Sequence, residues 1–229
     1  MMPITRSLWV VAKYPLPGQT KTRLSPPLSL DAAATLYESF LRDTLDLMRQ
    51  VDNVRRGIAF LPADAHSYFT TLAPNMALEL QHGASLGERL DHVLTAALVD
   101  GDQQAVVMDS DSPTLPASYL SQAFAALAGA ADVVLGPCDD GGYYLIGLKR
   151  PQPRLLREVP MSTPTVLQDT LALANALGLR VELLPTWYDV DTGTDLERLR
   201  AELALLPTAC ASHTRRALDC LPPHNQSDN

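Results

Sequence analysis

Polar and apolar positions change rhythm sharply within the first fifty residues. Leu8-Trp9-Val10-Val11-Ala12 is an unbroken apolar run with no polar alternation, as expected of a strand covered on both faces of a parallel sheet. A loop broken by Pro15, Pro17 and Gly18 follows, and then the period lengthens. Ala33, Leu36, Phe40, Leu41, Leu45 and Met48 recur near helical spacing with Glu38, Arg42 and Asp46 on the other side. Ser29 is placed to cap this helix, which ends near Gln50. Val54 to Leu61 predicts a second strand with Gly57 inside it, Pro62-Ala63-Asp64 opens a short helix reaching about Leu72, and Met76 to Leu80 reads as a third strand.

The alternation continues beyond residue 80. Ser85 and Glu88 have capping-box spacing ahead of a helix to about Val99, and Ala105 to Met108 is a brief apolar strand. A helix from about Pro116 to Leu127 returns the chain to the strand Asp132 to Gly136; Asp139-Asp140-Gly141-Gly142 reads as a turn and Tyr143 to Leu148 as a strand. Ser162-Thr163-Pro164 is expected to open a helix that closes near Gly178. Val181 to Leu184 gives a late strand, and a last helix is expected with Thr194 as cap and Glu197 three positions on. Beyond Pro207 the chain turns polar and irregular, with about the last dozen residues expected to be mobile. Strands alternating with helices imply a largely parallel sheet covered on both faces. A single domain over residues 1–206 with a polar tail over 207–229 is therefore expected.

Composition narrows the function classes. The chain has 229 residues, 46% of them hydrophobic, enough to bury a full core. A net charge of −8 argues against general nucleic-acid binding, which needs a broad basic surface. Cys138, Cys210 and Cys220 are an odd number without metal-type spacing and carry no sign of an activated thiolate. The N-terminal apolar run is too short for a membrane span or a signal segment. A soluble, cytoplasmic protein without membrane partners is the expectation. His66, His82, His92, His213 and His224 show no paired spacing and no evident acidic partner, so metal or base roles are not indicated.

Against this acidic background the first loop is a local exception. Lys13, Lys21 and Arg23 cluster around Pro15, Pro17 and Gly18, with Thr20 and Thr22 adding hydroxyls. Cations after a first strand sit where open α/β sheets bind ligands, and backbone N–H groups there add to the pull on phosphate. A polyphosphate cradle is one reading. A solvated loop is the other, since the pattern matches neither the Walker loop nor the dinucleotide fingerprint.

Three acidic motifs also fall at strand ends. Asp109-Ser110-Asp111 follows a buried strand and suits Mg²⁺ or Mn²⁺, hard cations that prefer carboxylate oxygens. Either aspartate also suits a turn or a helix start. Asp189 and Asp191 form a second pair ahead of a helix, where stabilisation of the helix dipole is the ordinary explanation of a carboxylate. Asp140-Gly141-Gly142-Tyr143 is in the first place a hairpin-turn signal.

Taken together, the segments Lys13 to Leu24, Leu86 to Leu90, Asp109 to Pro113, Gly136 to Tyr143 and Tyr188 to Thr192 resemble the glycosyltransferase-like, or nucleotide-diphospho-sugar transferase, branch of the GT-A superfamily. That branch is similar to the phospholactate and molybdenum-cofactor guanylyltransferases. The resemblance runs in order from about residue 7 to about residue 205. It implies a three-layer α/β/α GT-A fold with a mostly parallel central sheet. It further implies phosphate binding by Lys13, Gly18, Lys21, Thr22 and Arg23, and base or ribose contacts at Gln81, Leu86 and Gly87. The acceptor would lie near Asp140, Gly141, Gly142 and Tyr143. A divalent metal, Mg²⁺ or Mn²⁺, would be held by Asp111 and Asp191, with Asp109 and Asp189 as the other candidates, and Lys21 and Asp111 would be the catalytic pair.

Two activities compete within that resemblance. A nucleotidyltransferase would bind an NTP and a phosphorylated small-molecule acceptor and release pyrophosphate, which three cations favour. A glycosyltransferase would bind an NDP-sugar, which the literal Asp-x-Asp favours. A nucleotide-binding protein without turnover is the third reading.

Overall fold

The computed structural model describes residues 5–221. Among them the strands are β1 (Arg6–Lys13), β2 (Arg55–Leu61), β3 (Ala77–Leu80), β4 (Gln104–Met108), β5 (Val133–Pro137), β6 (Tyr143–Leu148) and β7 (Val181–Leu183). The helices are α1 (Leu30–Arg49), α2 (His66–Leu72), α3 (Leu86–Val99), α4 (Ala117–Ala128), α5 (Pro153–Arg157), α6 (Val166–Ala176), α7 (Gly193–Leu205) and α8 (Ser212–Cys220). The strands form one sheet in the order β3-β2-β1-β4-β6-β5-β7. Only β6 runs against its neighbours, β4 and β5; every other pair is parallel.

The apolar run of β1 is explained by the two faces it serves. Leu8 and Val10 pack with Leu41, Leu45 and Met48 of α1 and Leu120, Phe124 and Leu127 of α4. Trp9 lies among Ala59, Val107, the α3 residues Leu90, Val93 and Leu94, and Leu155 and Leu156 of α5. Successive side chains of a strand point to opposite faces, so both must be apolar where both are covered. Gly57, paired with Trp9 across β1 and β2, leaves room for the indole, since a Cβ there would lie 2.2 Å from the Trp9 ring. The outer side of α1 joins a third cluster, in which Leu36 and Phe40 meet Tyr188, Val190 and the α7 residues Leu196, Leu199 and Leu203.

The structure departs from the expected elements in several places. Thr192, not Thr194, caps α7: its hydroxyl accepts from the Asp195 N–H while the Asp195 carboxylate accepts from the Thr192 N–H at 2.8 Å, a reciprocal box. Helix α6 starts at Val166, not near Ser162. Ser162 has φ +62°, and the Leu167 N–H donates to the Gly141 carbonyl at 3.0 Å, so residues 162–165 are tied to the Gly141 turn instead of coiling. Helix α5 has no counterpart in the sequence pattern.

The segment expected to be irregular after Pro207 contains α8, which packs on α1. Buried Asp43 of α1 accepts from the His213 N–H at 3.0 Å, the Thr214 N–H at 2.7 Å and the Thr214 hydroxyl at 2.6 Å. A carboxylate there satisfies the open N–H groups of the first turn of α8. The mobile end expected of the tail falls largely on residues 222–229, outside the described residues.

Candidate functional site

A cleft of about 830 Å³ opens where β1, β3 and β4 end and β6 begins. Its cationic side is the loop from β1 to α1. Gly18, at φ +76°, lets the chain turn back so that the Gln19 and Thr20 N–H groups reach the Leu16 carbonyl. Lys21 then takes a left-handed conformation, φ 49°, which is costly for a residue with a Cβ. A 3-10 turn over Thr22–Leu24 follows and anchors Leu24 in the third core cluster.

The outcome is a lysine directed inward. Its side chain is only 5% exposed, and Nζ lies 2.6 Å from Asp191 Oδ1 and 3.0 Å from Asp111 Oδ1. Burial alone would lower its pKa, but the charges of Asp111 and Asp191 outweigh that and hold it above the usual lysine range. Asp191 answers in kind. Burial pushes its carboxyl up, and Lys21, followed by Arg23, overrides this and holds it below the ordinary aspartate value. Arg23 reaches Asp191 at 3.4 Å with its own side chain 70% exposed, and Lys13 is exposed at the mouth.

The acidic side is assembled from two loops locked by main-chain bonds. The Asp109 N–H donates to the Tyr144 carbonyl and the Val190 N–H to the Asp111 carbonyl, both at 3.0 Å. The Ser112 hydroxyl lies 3.0 Å from the Tyr188 carbonyl and 3.1 Å from Asp189 Oδ1, sharing one proton between them. Asp109 accepts from the Asp111 N–H at 3.2 Å, so it shapes the turn as well as facing the cleft. Burial, then the charges of Asp189 and Asp111, raise Asp109 well above the normal carboxylate range. Burial and Asp111 raise Asp189 to about 6. The buried Cys138 thiol, 3.2 Å from Asp189, is pushed far up by burial and by Asp189 and is an inert thiol.

Asp109, Asp111, Asp189 and Asp191 thus line one cleft in which, among the described residues, Lys21 is the one buried ammonium beside them. Burial first, and then the neighbouring carboxylates, raise Asp109 and Asp189, so the cleft holds more negative charge than Lys21 offsets. A set of hard carboxylate oxygens with excess charge has the chemistry that suits Mg²⁺ or Mn²⁺.

The opposite wall carries Gln81, Leu86, Arg89 and Leu90, and beyond them Tyr143 and the segment Met161 to Pro164. Gln81 Nε2 donates to the Ala59 carbonyl at 2.7 Å and lies 3.3 Å from that of Ala12, so the amide is oriented and Oε1 remains as an acceptor. Asp140 lines the cleft while also accepting from the Gly142 N–H at 2.8 Å.

Lys13, Lys21, Thr22, Arg23, Gln81, Leu86, Asp140, Gly142 and Tyr143 therefore join the aspartates around one cleft. Gly18, Gly87 and Gly141 are not among its lining residues. A Cβ on Gly87 would sit 2.0 Å from the Leu156 carbonyl oxygen, and one on Gly141 would sit 1.9 Å from that of Pro164. Gly87 and Gly141 serve close backbone approach, and Gly18 the turn.

Sequence reasoning missed Tyr37. Its hydroxyl accepts from the Lys13 N–H at 3.0 Å and lies 3.1 Å from Ser110 Oγ, joining the cationic and acidic loops from beneath. Burial, then Asp111, raise it to about 12, so it stays a neutral phenol. It lies next to Leu36 on α1 and falls in none of the motifs; the polar tip was the available signal. Arg89, named only as part of a motif, also lines the cleft.

The order of strands, the lone antiparallel β6 and the position of the cleft define a nucleotide-diphospho-sugar transferase fold. Residues 44–163 match the family described as "Uncharacterized protein conserved in bacteria (DUF2064)", and the chain belongs to this family. Among solved structures, it is 33% identical to a "putative nucleotide-diphospho-sugar transferase" from Desulfovibrio desulfuricans G20, with a TM-score of 0.87 over 93% of this chain and 94% of that one. CMP:2-keto-3-deoxy-manno-octonic acid synthetase complexed with CTP matches at TM-score 0.53 and 14% identity, over 88% of this chain and 99% of that one. Rv0371c from Mycobacterium tuberculosis H37Rv, in complex with manganese, matches at TM-score 0.53 and 18% identity, over 86% and 98%. These last two share the fold. Comparison with curated proteins finds no match.

Proposed function

We propose that this chain is a transferase acting on a nucleotide, and specifically a metal-dependent nucleotidyltransferase that moves NMP from an NTP to a phosphorylated small-molecule acceptor. The observation that carries the reading is the buried Lys21 ammonium, 2.6 and 3.0 Å from two carboxylates, with Arg23 and Lys13 rising from it to the mouth of the cleft. Such a gradient from an acidic floor to a cationic rim suits a polyphosphate chain whose far end needs the most neutralisation.

In this reading Lys13, Lys21 and Arg23 bind the phosphates and hold them so that the acceptor phosphate meets the α-phosphorus in line with the departing pyrophosphate. The work is positioning and charge stabilisation rather than proton transfer. Asp111 with Asp189, Asp191 or Asp109 would hold a divalent metal, which when bound supplies further neutralisation of the phosphate oxygens. Arg23 meets Asp191 only at 3.4 Å and is largely exposed, so it can turn to a phosphate without loss of a buried contact. Gln81 offers Oε1 to an N–H of the base, and Asp140 and Tyr143 lie on the acceptor side.

NDP-sugar-dependent glycosyl transfer is the second reading, supported by the literal Asp109-Ser110-Asp111 and by the description of the relative at 33% identity. A thermal-shift panel of NTPs against NDP-sugars, with Mg²⁺ or Mn²⁺, separates the two, because a ligand selective for the native state raises its stability by about 2.7 kcal/mol at a hundred times Kd. One NTP alone raising Tm, with the effect lost in Asp111→Asn, is the expected result. Stabilisation by NDP-sugars and by no NTP overturns nucleotidyl transfer.

A further inference from the structure

At the open edge of the sheet, away from the carboxylates of the cleft, three other side chains converge. Glu79 lies on the edge strand β3, His82 two residues past the end of that strand, and His92 on α3. One ligand atom from each lies within 4.8 Å of the other two, and the imidazoles of His82 and His92 meet edge to face with centroids 4.8 Å apart. The His92 Nδ1 atom is buried and, among the described residues, has no hydrogen-bond partner. It faces Glu79 Oε1 at 3.9 Å, too far for a hydrogen bond. A buried ring nitrogen aimed at a carboxylate across a gap of that size leaves a place for something between them.

We propose that Glu79, His82 and His92 form a second metal site, selective for a borderline transition ion such as Zn²⁺ and separate from the all-carboxylate cluster of the cleft. Two neutral imidazoles and one carboxylate suit Zn²⁺, Co²⁺, Ni²⁺ or Cu²⁺ and are a poor set for Mg²⁺ or Mn²⁺. Metal–ligand bonds of about 2.0–2.2 Å place tetrahedral ligands ~3.4 Å apart, so the three donors need only draw together. They can do so, since the side chains of His92 and Glu79 are 35% and 37% exposed and His82 is exposed. Water completes the coordination.

The place of the site gives it a consequence. His82 follows Gln81 directly, and His92 lies two residues after Leu90, both of which line the cleft. An ion here ties the edge strand to α3 across the loop His82 to Ser85 and so fixes the wall that Gln81, Leu86, Arg89 and Leu90 present. Sequence spacing hid the constellation, because a loop and about two turns of helix separate the histidines while the parallel edge strand supplies the acid.

The test is calorimetric titration of Zn²⁺ into the untagged, chelator-stripped full chain with Mg²⁺ in excess, repeated on His82→Asn, His92→Asn, Glu79→Gln and, as a control, Asp109→Asn. The expected result is one saturable Zn²⁺ per chain, weakened by more than about tenfold in each of the first three variants and kept in Asp109→Asn. Circular dichroism in chelator checks that each variant is folded, and Glu79→Gln, on the exposed edge, carries the test if a histidine variant is not. Absence of saturable Zn²⁺ binding overturns the proposal and leaves an ordinary Glu79–His92 pair beside a ring contact. So does Zn²⁺ binding that survives the histidine and Glu79 substitutions but is lost in Asp109→Asn, which would place the ion among Asp109, Cys138 and Asp189 instead.

Discussion

Replacing Lys21 by Met keeps most of the buried aliphatic stem and deletes the ammonium that lies 2.6 and 3.0 Å from Asp191 and Asp111. Removing one partner of a fully buried pair costs about 3–5 kcal/mol, because the other charge is left unpaired. Here the carboxylates are 31% and 38% exposed, so water takes up part of the burden. An exposed pair is worth ~0–1 kcal/mol, and the site falls between these limits, at about 2 kcal/mol. Urea denaturation in chelator should therefore show a loss of that size in Lys21→Met without a change of slope. Mn²⁺ should restore most of it, since the four carboxylates then lack their competing ammonium and a bound cation at a hundred times Kd returns about 2.7 kcal/mol. Stabilisation by NTP should fall more than stabilisation by NDP. If Lys21→Met is as stable as the native chain in chelator, or Mn²⁺ does not rescue it, the ammonium does not offset the charge of the acids and the reasoning fails.

Gly87→Ala should destabilise by about 1–3 kcal/mol, because its Cβ would meet the Leu156 carbonyl oxygen at 2.0 Å and both partners are backbone; an unchanged denaturation midpoint would show that α3 and α5 move apart freely. Asp43→Ala removes the acceptor of three hydrogen bonds to His213 and Thr214 at 2.6–3.0 Å and should cost about 2–4 kcal/mol. Amide exchange should then rise first in α8, and equal protection there in both proteins would refute the clamp. Gly57→Ala should lower the melting temperature, since the added carbon would lie 2.2 Å from the Trp9 ring and the ring must shift; an unchanged melting temperature would show that the indole has room to move.

The parts of the fold that were legible in the sequence are those written in local periodicity. The two-faced burial of β1 appears as its unbroken apolar run, and α1 appears as its stripe with Ser29, whose hydroxyl accepts from the Ala32 N–H at 3.1 Å. What was not legible depends on contacts between distant segments. The Ser-Thr-Pro sequence at 162–164 has the look of a helix start, yet a close approach to Gly141 holds it open. Thr194 and Glu197 have capping spacing, as do Thr192 and Asp195 three positions apart, and pattern alone cannot choose between two overlapping boxes. Helix α8 is polar in composition and depends on Asp43, some 170 residues earlier in the chain. The acidic residues of the cleft were each visible, but Tyr37 was not, because its hydroxyl has meaning only beside Lys13 and Ser110.

The acidic loops owe their arrangement mainly to the backbone, and this separates their chemistry from their fold. After β7 the chain continues beside β5 through the Leu184 N–H to the Leu135 carbonyl at 2.9 Å, the Trp187 N–H to Pro137 at 2.9 Å and the Asp139 N–H to Trp187 at 3.1 Å. The Val190 N–H then meets the Asp111 carbonyl, and buried Val190 and Tyr188 anchor the same stretch in the cluster with α1 and α7. None of these bonds uses the carboxylate of Asp111, Asp189 or Asp191. Asparagine at Asp111 should therefore leave the loops in place and ease the repulsion that adds to burial in raising Asp109 and Asp189, so the folded chain should lose metal-dependent nucleotide binding without losing stability of comparable size. A variant that lost both together, seen as a melting temperature in chelator far below that of the native chain, would mean that the charges shape the site rather than occupy it.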